Sequence, residues 1–325
     1  MRLRTPAARH HAELEAPRPP ILGIETPDDP ARWAAEHREE LRSLVRNHGA
    51  VLVRGLELCD AAGAEAVFHQ LGTLMVEREG FAARRRYADG VYSSSKWPPN
   101  QAMCLHHELS YSLQVPELLL FACLVAPYIG GATPLADSQP VLASLPRDLV
   151  EHFERAGWLL IRNYREDVGT TVSEAFGTDD RNAVERYCRD NDIRFEWGPG
   201  GALRTWQRRS AIVRHPVTGG RCWFNQAAFL NAWTMDPEVR EYLVDVYGKD
   251  ALPFDTCFGD GEPIGADQVR VINEAFEANA TREPWHTGDL MIVDNIRTAH
   301  GRDPFEGERE MVVALANAVS VTAAP

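Results

Sequence analysis

The 325-residue chain has no uninterrupted apolar stretch of the about 18 residues that a membrane-crossing helix requires, so nothing in it reads as a transmembrane span. Its opening residues, MRLRTPAARHHAELEAPRPP, also lack the roughly 7–15-residue apolar core of a secretory signal. Cysteine is sparse, and Cys59, Cys104, Cys123, Cys188, Cys222 and Cys257 are scattered with no C-x-x-C pair among them. Without a secretory segment ahead of them they read as free thiols of a reducing cytoplasm. Positive charge is short as well. Lys and Arg number 34 against 47 Asp and Glu, a formal net charge of -13, whereas nucleic-acid binding depends on cations that neutralise phosphates. No Gly-rich phosphate loop, internal repeat or low-complexity domain is present. These absences argue against nucleic-acid and membrane partners and point to a soluble, cytoplasmic protein, with its oligomeric state open.

What is there suffices for a folded protein. Hydrophobic residues make up 44% and charged ones 25%, enough to bury a sizeable core. Decorated all-β units reach about 200–250 residues as single domains. The expected organisation is therefore a flexible, Pro-rich tail over residues 1–20 and one elaborated domain over residues 21–325. His10 and His11 fall in the tail and are not expected as ligands. An apolar row at Trp33, Leu41, Leu44 and Val45, between an Asp28-Asp29 start and a Gly49 stop, predicts a helix from Pro30 to Arg46. AVLVRGLEL reads as a buried strand and Ala61 to Leu71 as a second helix. Val76 to Asn100 shows no sustained period and reads as a long loop at an active-site rim, with Arg84, Arg85 and Arg86 a solvated charge run. LLLFACLVA (Leu118 to Ala126) reads as a strand, and Ser138 to Ala156 and Val184 to Asn191 as helices. The runs IRFEW, ALRTW, SAIVRH and RCWFN, with GPGG and PVTGG turns between them, and later GDLMIVDN and EMVVALANAV, have the rhythm of antiparallel β structure rather than of βαβ units.

Side chains two apart on a strand share a face. In LHHELSY this sets His106 and Glu108 together and turns His107 away, as a packing residue. His300, after GDLMIVDN and its continuation IRTA, can close the site from another strand. Two imidazoles and one carboxylate leave three positions open on a non-haem Fe(II). The same set also serves zinc, so a cupin-like hydrolase, isomerase or binding protein stands as the alternative. Alone, H-x-E is a weak motif.

Taken together, LHHELSY, GGATPLADS and DNIRTAHGRDPFEGERE resemble the taurine-dioxygenase-like and clavaminate-synthase-like branch of the Fe(II)/2-oxoglutarate oxygenases, over roughly residues 30 to 320 and with the three blocks in that family's order. The resemblance implies a double-stranded β-helix, a cupin-like jelly roll that is mainly β with flanking helices and carries its metal at the open end. It implies His106, Glu108 and His300 as catalytic iron ligands, and Arg309 and Thr133 as the clamp on the distal carboxylate of 2-oxoglutarate, with dioxygen as co-substrate. Arg302 is the rival anchor, and Arg309 read alone is a surface arginine at a strand start. Because Glu108 occupies the carboxylate position, the resemblance implies oxygenation and not halogenation.

One position departs from the family. Several relatives carry a second, substrate-gripping arginine four residues after the co-substrate arginine, and here Val313 stands at that place. Either the substrate's acid is held elsewhere, with Arg302, Arg208 and Arg209 as candidates, or it is masked, as in an aminoacyl group tethered to a carrier protein. ALRTWQRR, HPVTGG and WFNQAAF resemble family members that hydroxylate amino acids in natural-product assembly, which implies a small, amino-acid-derived substrate, free or carrier-bound. Desaturation, epoxidation or cyclisation would use the same ligands. Asn225 and Gln226 could line the pocket, although an Asn-Gln pair leaving a strand is commonly turn chemistry. Trp206 and Trp223 read as core or pocket wall, His286 as solvent-facing and His215 as a turn-entry residue.

Overall fold

The strand Val115–Val125 shows how the interior is divided. Leu118, Leu120, Ala122 and Leu124 join one buried cluster, while Leu119, Phe121 and Cys123 join another, because successive side chains leave a strand on opposite faces. A strand covered on both faces reads as an unbroken apolar run. The first cluster is shared with the helices Pro30–His48 and Ala61–Leu71. The second lies inside the barrel with Met291, Val293, Met311, Val313 and Leu315.

The computed structural model describes residues 11–13, 19–82 and 84–323. An eight-stranded sheet runs in the order His11–Glu13, Ile21–Gly23, Ala50–Leu58, Gly288–Asp294, Val115–Val125, Glu310–Val319, Val91–Ser93, Arg86–Ala88. Opposite it lies a four-stranded antiparallel sheet, Ala280–Thr281, Leu135–Asp137, Thr298–Arg302 and Met103–His106. The two sheets make the expected double-stranded β-helix, mainly β with helices buttressing the larger sheet. A further antiparallel sheet, Arg194–Trp197, Leu203–Arg209, Trp158–Tyr164 and Phe254–Phe258, shares a smaller core with the helices Val172–Phe176 and Arg181–Asp190.

Local signals account for the element ends. Asp29 caps Pro30–His48 by accepting from the Arg32 N–H, and Gly49 ends the helix at φ 81°. The helix expected from Ser138 to Ala156 is two, Ser138–Ser144 and Arg147–Ala156. Pro146 breaks it, since a proline lacks the N–H and pushes the residue before it out of helical geometry. The segment expected as a loop from Val76 to Asn100 contains a hairpin, Arg86–Ala88 with Val91–Ser93, turning at Asp89-Gly90 and adding to the large sheet. The Asp-Gly pair is the turn signal that marks it. Pro237–Tyr247 and Ala266–Ala278 are helices in the last third that the strand rhythm did not announce. The expected tail, including His10, falls mostly outside the described residues. Where it is described, His11–Glu13 pairs with Ile21–Gly23, and Pro19 and Pro20 are buried. Among the described residues no helix is long and apolar enough to cross a membrane.

Candidate metal centre and co-substrate pocket

The strands Met103–His106 and Thr298–Arg302 are neighbours, and their register sets His300 directly across from His106. The two imidazole centroids are 4.4 Å apart. His106 Nδ1 donates to the Cys104 carbonyl at 2.8 Å, which leaves the lone pair on Nε2. Burial pushes both imidazoles below their ordinary pKa, with Glu108 opposing the shift at His106 and His106 and Arg84 adding to it at His300. Both rings are therefore held neutral, the form that ligates a metal.

Glu108 joins them by a route other than strand alternation. The strand ends at His106, and Glu108 begins a turn in which Leu109 has φ 53°. Its direction is set by Asn295, whose side-chain amide accepts from the Glu108 N–H at 2.8 Å and donates to the Glu108 carbonyl at 3.0 Å. Asn295 donates to the Pro116 carbonyl as well, and its own carbonyl receives His107 Nδ1 at 2.6 Å. His107 thus faces away from the site, packed against Phe224, and burial lowers its pKa to about 4.

His106, Glu108 and His300 each present a ligand atom within 4.8 Å of the others, and all three are buried. Glu108 Oε1 and His300 Nδ1 are buried with no hydrogen-bond partner, and His300 Nε2 lies 3.8 Å from Glu108 Oε2. Two neutral imidazoles and one carboxylate with an unanswered oxygen fit a divalent cation of the first transition row.

The cavity that holds these three side chains is also walled by Thr133, Arg302, Arg309 and Val313. Gly131, at φ 67°, turns the GGATP segment so that its carbonyl accepts from Arg309 Nε at 3.1 Å. The terminal nitrogens of Arg309 make no hydrogen bond among the described residues. Burial, with Arg302 nearby, pushes its pKa down to about 10, the mark of a cation short of an anion. Trp285 donates its indole N–H to Thr133 Oγ1 at 3.1 Å, leaving the hydroxyl proton free to be given into the cavity.

The structure gives most of the remaining candidates other partners. Arg302 lines the cavity, yet it donates to the carbonyls of Trp97, Pro98 and Gln101, so it ties down the rim. Arg209 lies elsewhere and clamps the carbonyls of Tyr111, Asn191, Asp192 and Arg208. Arg208 closes on the Ala156 carbonyl at the end of the helix Arg147–Ala156. Asn225 performs turn chemistry, donating to Ala211 and accepting from Ala227, and it does not reach the cavity. Gln226 is buried with its amide unpartnered. Trp223 is core, the Arg194 and Arg204 guanidinium groups lie over the Trp206 ring, and His286 is exposed. His215 does enter a turn, accepting from the Val217 and Thr218 N–H groups, and it also donates through Nε2 to Asp294 at 2.7 Å.

Arg84 is the main correction. Arg85 and Arg86 are exposed, but the Arg84 side chain is 7% exposed and donates to Glu108 Oε2 at 2.9 Å. A three-arginine run carries no signal that one member turns inward, so sequence reasoning missed it. It missed Phe229 too, whose ring stacks on His106 at 4.2 Å.

The family model described as "Taurine catabolism dioxygenase TauD, TfdA family" matches residues 15–315. The chain belongs to the TauD/TfdA family. Among curated relatives, the dapdiamide synthesis protein DdaC of Enterobacter agglomerans is 35% identical over 281 residues, covering 85% of this chain and 84% of the relative. The clavaminate synthase-like protein of Arabidopsis thaliana is 29% identical over 286 residues, 85% of this chain and 83% of the relative. Among solved structures, the PvcB protein of Pseudomonas aeruginosa superposes with TM-score 0.52 at 17% identity, covering 98% of this chain and 97% of that one, a likeness of fold. As a TauD/TfdA member the chain is a 2-oxoglutarate-dependent dioxygenase using Fe(II), 2-oxoglutarate and dioxygen. That membership decides between the oxygenase and the zinc-protein readings.

Proposed function

We propose that the chain hydroxylates an unactivated carbon of a small, amino-acid-derived substrate, with His106, Glu108 and His300 holding the iron and Arg309 and Thr133 holding the distal carboxylate of 2-oxoglutarate. The observation that carries this is a single cavity with the three ligating side chains on one part of its wall and a buried, anion-short arginine beside a threonine hydroxyl on another. When bound, Fe(II) with 2-oxoglutarate supplies the dioxygen-dependent oxidation of a C–H bond. The chain supplies the rest. His106 and His300 offer neutral nitrogens and Glu108 one negative charge. Arg309 has its terminal nitrogens for a paired grip on a carboxylate, and Thr133 has one further donor. Met103, Phe121, Met311 and Val313, all buried, add an apolar stretch of wall beside Ser94 and Ser95.

Among the described residues, no arginine of the cavity wall beyond Arg309 is left over for the substrate's acid. Arg302, Arg208 and Arg209 are engaged with backbone carbonyls, and Val313 faces the cavity in the register of Phe121. This favours a masked acid, such as an aminoacyl group tethered to a carrier protein, over a free one. The dapdiamide synthesis protein among the relatives supports a place in natural-product assembly.

Two experiments test the reading. Anaerobic Fe(II) protein given saturating 2-oxoglutarate should develop a weak metal-to-ligand absorption band, and no band would sink the site assignment. Free and carrier-loaded amino acids should then be compared by succinate release, with product mass reporting a gained oxygen or, for desaturation, lost hydrogen. Turnover of neither class would sink the substrate assignment.

A further inference from the structure

Three charges are buried side by side beside the triad. Arg84 Nη2 lies 2.9 Å from Glu108 Oε2, and Arg84 Nε lies 3.3 Å from Glu77 Oε2. The side chains of Arg84, Glu77 and Glu108 are 7%, 8% and 2% exposed. Desolvating such a group is expensive, and a pair buried only for stability is often replaceable by apolar residues. The trio also treats the two oxygens of Glu108 unequally: Oε2 is taken by the guanidinium, and Oε1 is buried with no partner. Arg84 reaches Glu108 from the segment ahead of the LHHELSY strand, so it is independent of the strands that carry the ligands.

We propose that Arg84 is a positioning residue for the iron's carboxylate ligand: by occupying Oε2 it fixes the rotation of Glu108 and holds it to binding through one oxygen. The inference rests on reading His106, Glu108 and His300 as the ligands. Its physical reason lies in the coordination positions. A carboxylate free to turn can chelate through both oxygens, and that would consume a position needed by the keto acid or by dioxygen. A planar, charged fork bonded to one oxygen opposes that turn. Partners that orient ligands in this way contribute roughly 10- to 100-fold to metal affinity or activity.

Co(II) is a suitable probe, because its visible absorption reports coordination without turnover. Arg84→Met alone would leave Glu77 and Glu108 facing each other unbalanced, so it is paired with Glu77→Gln, which keeps the trio at one net negative charge. The double variant should bind Co(II) roughly 10- to 100-fold more weakly and with altered band intensity. Arg84→Lys, which retains the charge and hydrogen-bond donors but not the planar fork, should recover part of the affinity. A double variant whose affinity and spectrum match the parent, one that binds more tightly, or one that loses only thermal stability would each overturn the proposal. Failure of the parent to bind Co(II), or unaltered binding by His300→Ala, would instead overturn the ligand assignment.

Discussion

Arg309 brings a cation into the cavity wall where, among the described residues, it meets the Gly131 carbonyl, the Phe305 ring at 5.7 Å and a second arginine, but no carboxylate. Such a group is stabilised when a dicarboxylate arrives, so Arg309→Ala should raise the KM for 2-oxoglutarate by roughly 10- to 150-fold, from the loss of about 1.5–3 kcal/mol of charged hydrogen bonding. The metal-to-ligand band should still appear at saturating co-substrate. His300→Ala should remove the band altogether, and anaerobic titration followed by absorbance separates the two outcomes. The cysteines make a second test at this scale. Burial raises the thiols of Cys104, Cys123, Cys188, Cys222 and Cys257, with Cys123 pushed up to about 12, whereas Cys59 is exposed. A thiol reagent at neutral pH should label one site in the native protein and six after unfolding. His106 and His300 were legible as residues because their motifs are local. Arg84 was not, because nothing within a run of three arginines says which one a distant carboxylate will hold.

Between the strands Gly288–Asp294 and Thr298–Arg302, the turn at Asn295 joins the His300 strand to the His106 strand through side-chain hydrogen bonds. Asn295→Ala would leave the Glu108 N–H and carbonyl and the Pro116 carbonyl without their partner. Each buried group so stranded costs about 1–3 kcal/mol. The metal-free protein should melt several degrees lower, and Co(II) affinity should fall as Glu108 loses its direction. Calorimetry and a metal titration on the same sample check both. Most elements were readable from their own residues: the strand Ala50–Leu58 and the helix Ala61–Leu71 lie where the apolar patterns put them. Glu108 lies beside His106 and His300 for a reason other than the expected alternation, because the strand ends at His106 and the Glu108 backbone is held by the Asn295 amide.

At the scale of the molecule, Glu79 is where three parts meet. Its carboxylate accepts from Tyr187 on the helix Arg181–Asp190 and from Gln207 on the smaller sheet, while its carbonyl receives Arg162 and Tyr111. Burial raises its pKa above the ordinary 4.5, against the pull of Tyr187 and Arg162. The folded state therefore keeps a proton that the unfolded chain gives up near 4.5, and stability falls as pH rises through the folded value. Glu79→Gln stays neutral throughout. Gln207 Oε1, which has no partner, can accept from the new amide if the Gln207 side chain flips. The melting temperature of the variant should match the parent at low pH and exceed it increasingly toward neutral pH; parallel profiles would refute this. The sequence alone determined most of the strands and the first helices, since hydrophobic periodicity and turn residues act over a few neighbours, while its three motif blocks, through their likeness to a family, carried the jelly-roll class and the candidate ligands His106, Glu108 and His300. Tertiary structure alone decided that Arg84 is buried, that Asn295 aims Glu108, that Arg302 and Arg209 hold carbonyls, and that Val313 faces the cavity. Those outcomes depend on which distant groups a side chain meets once water is excluded, and residue spacing along the chain does not encode them.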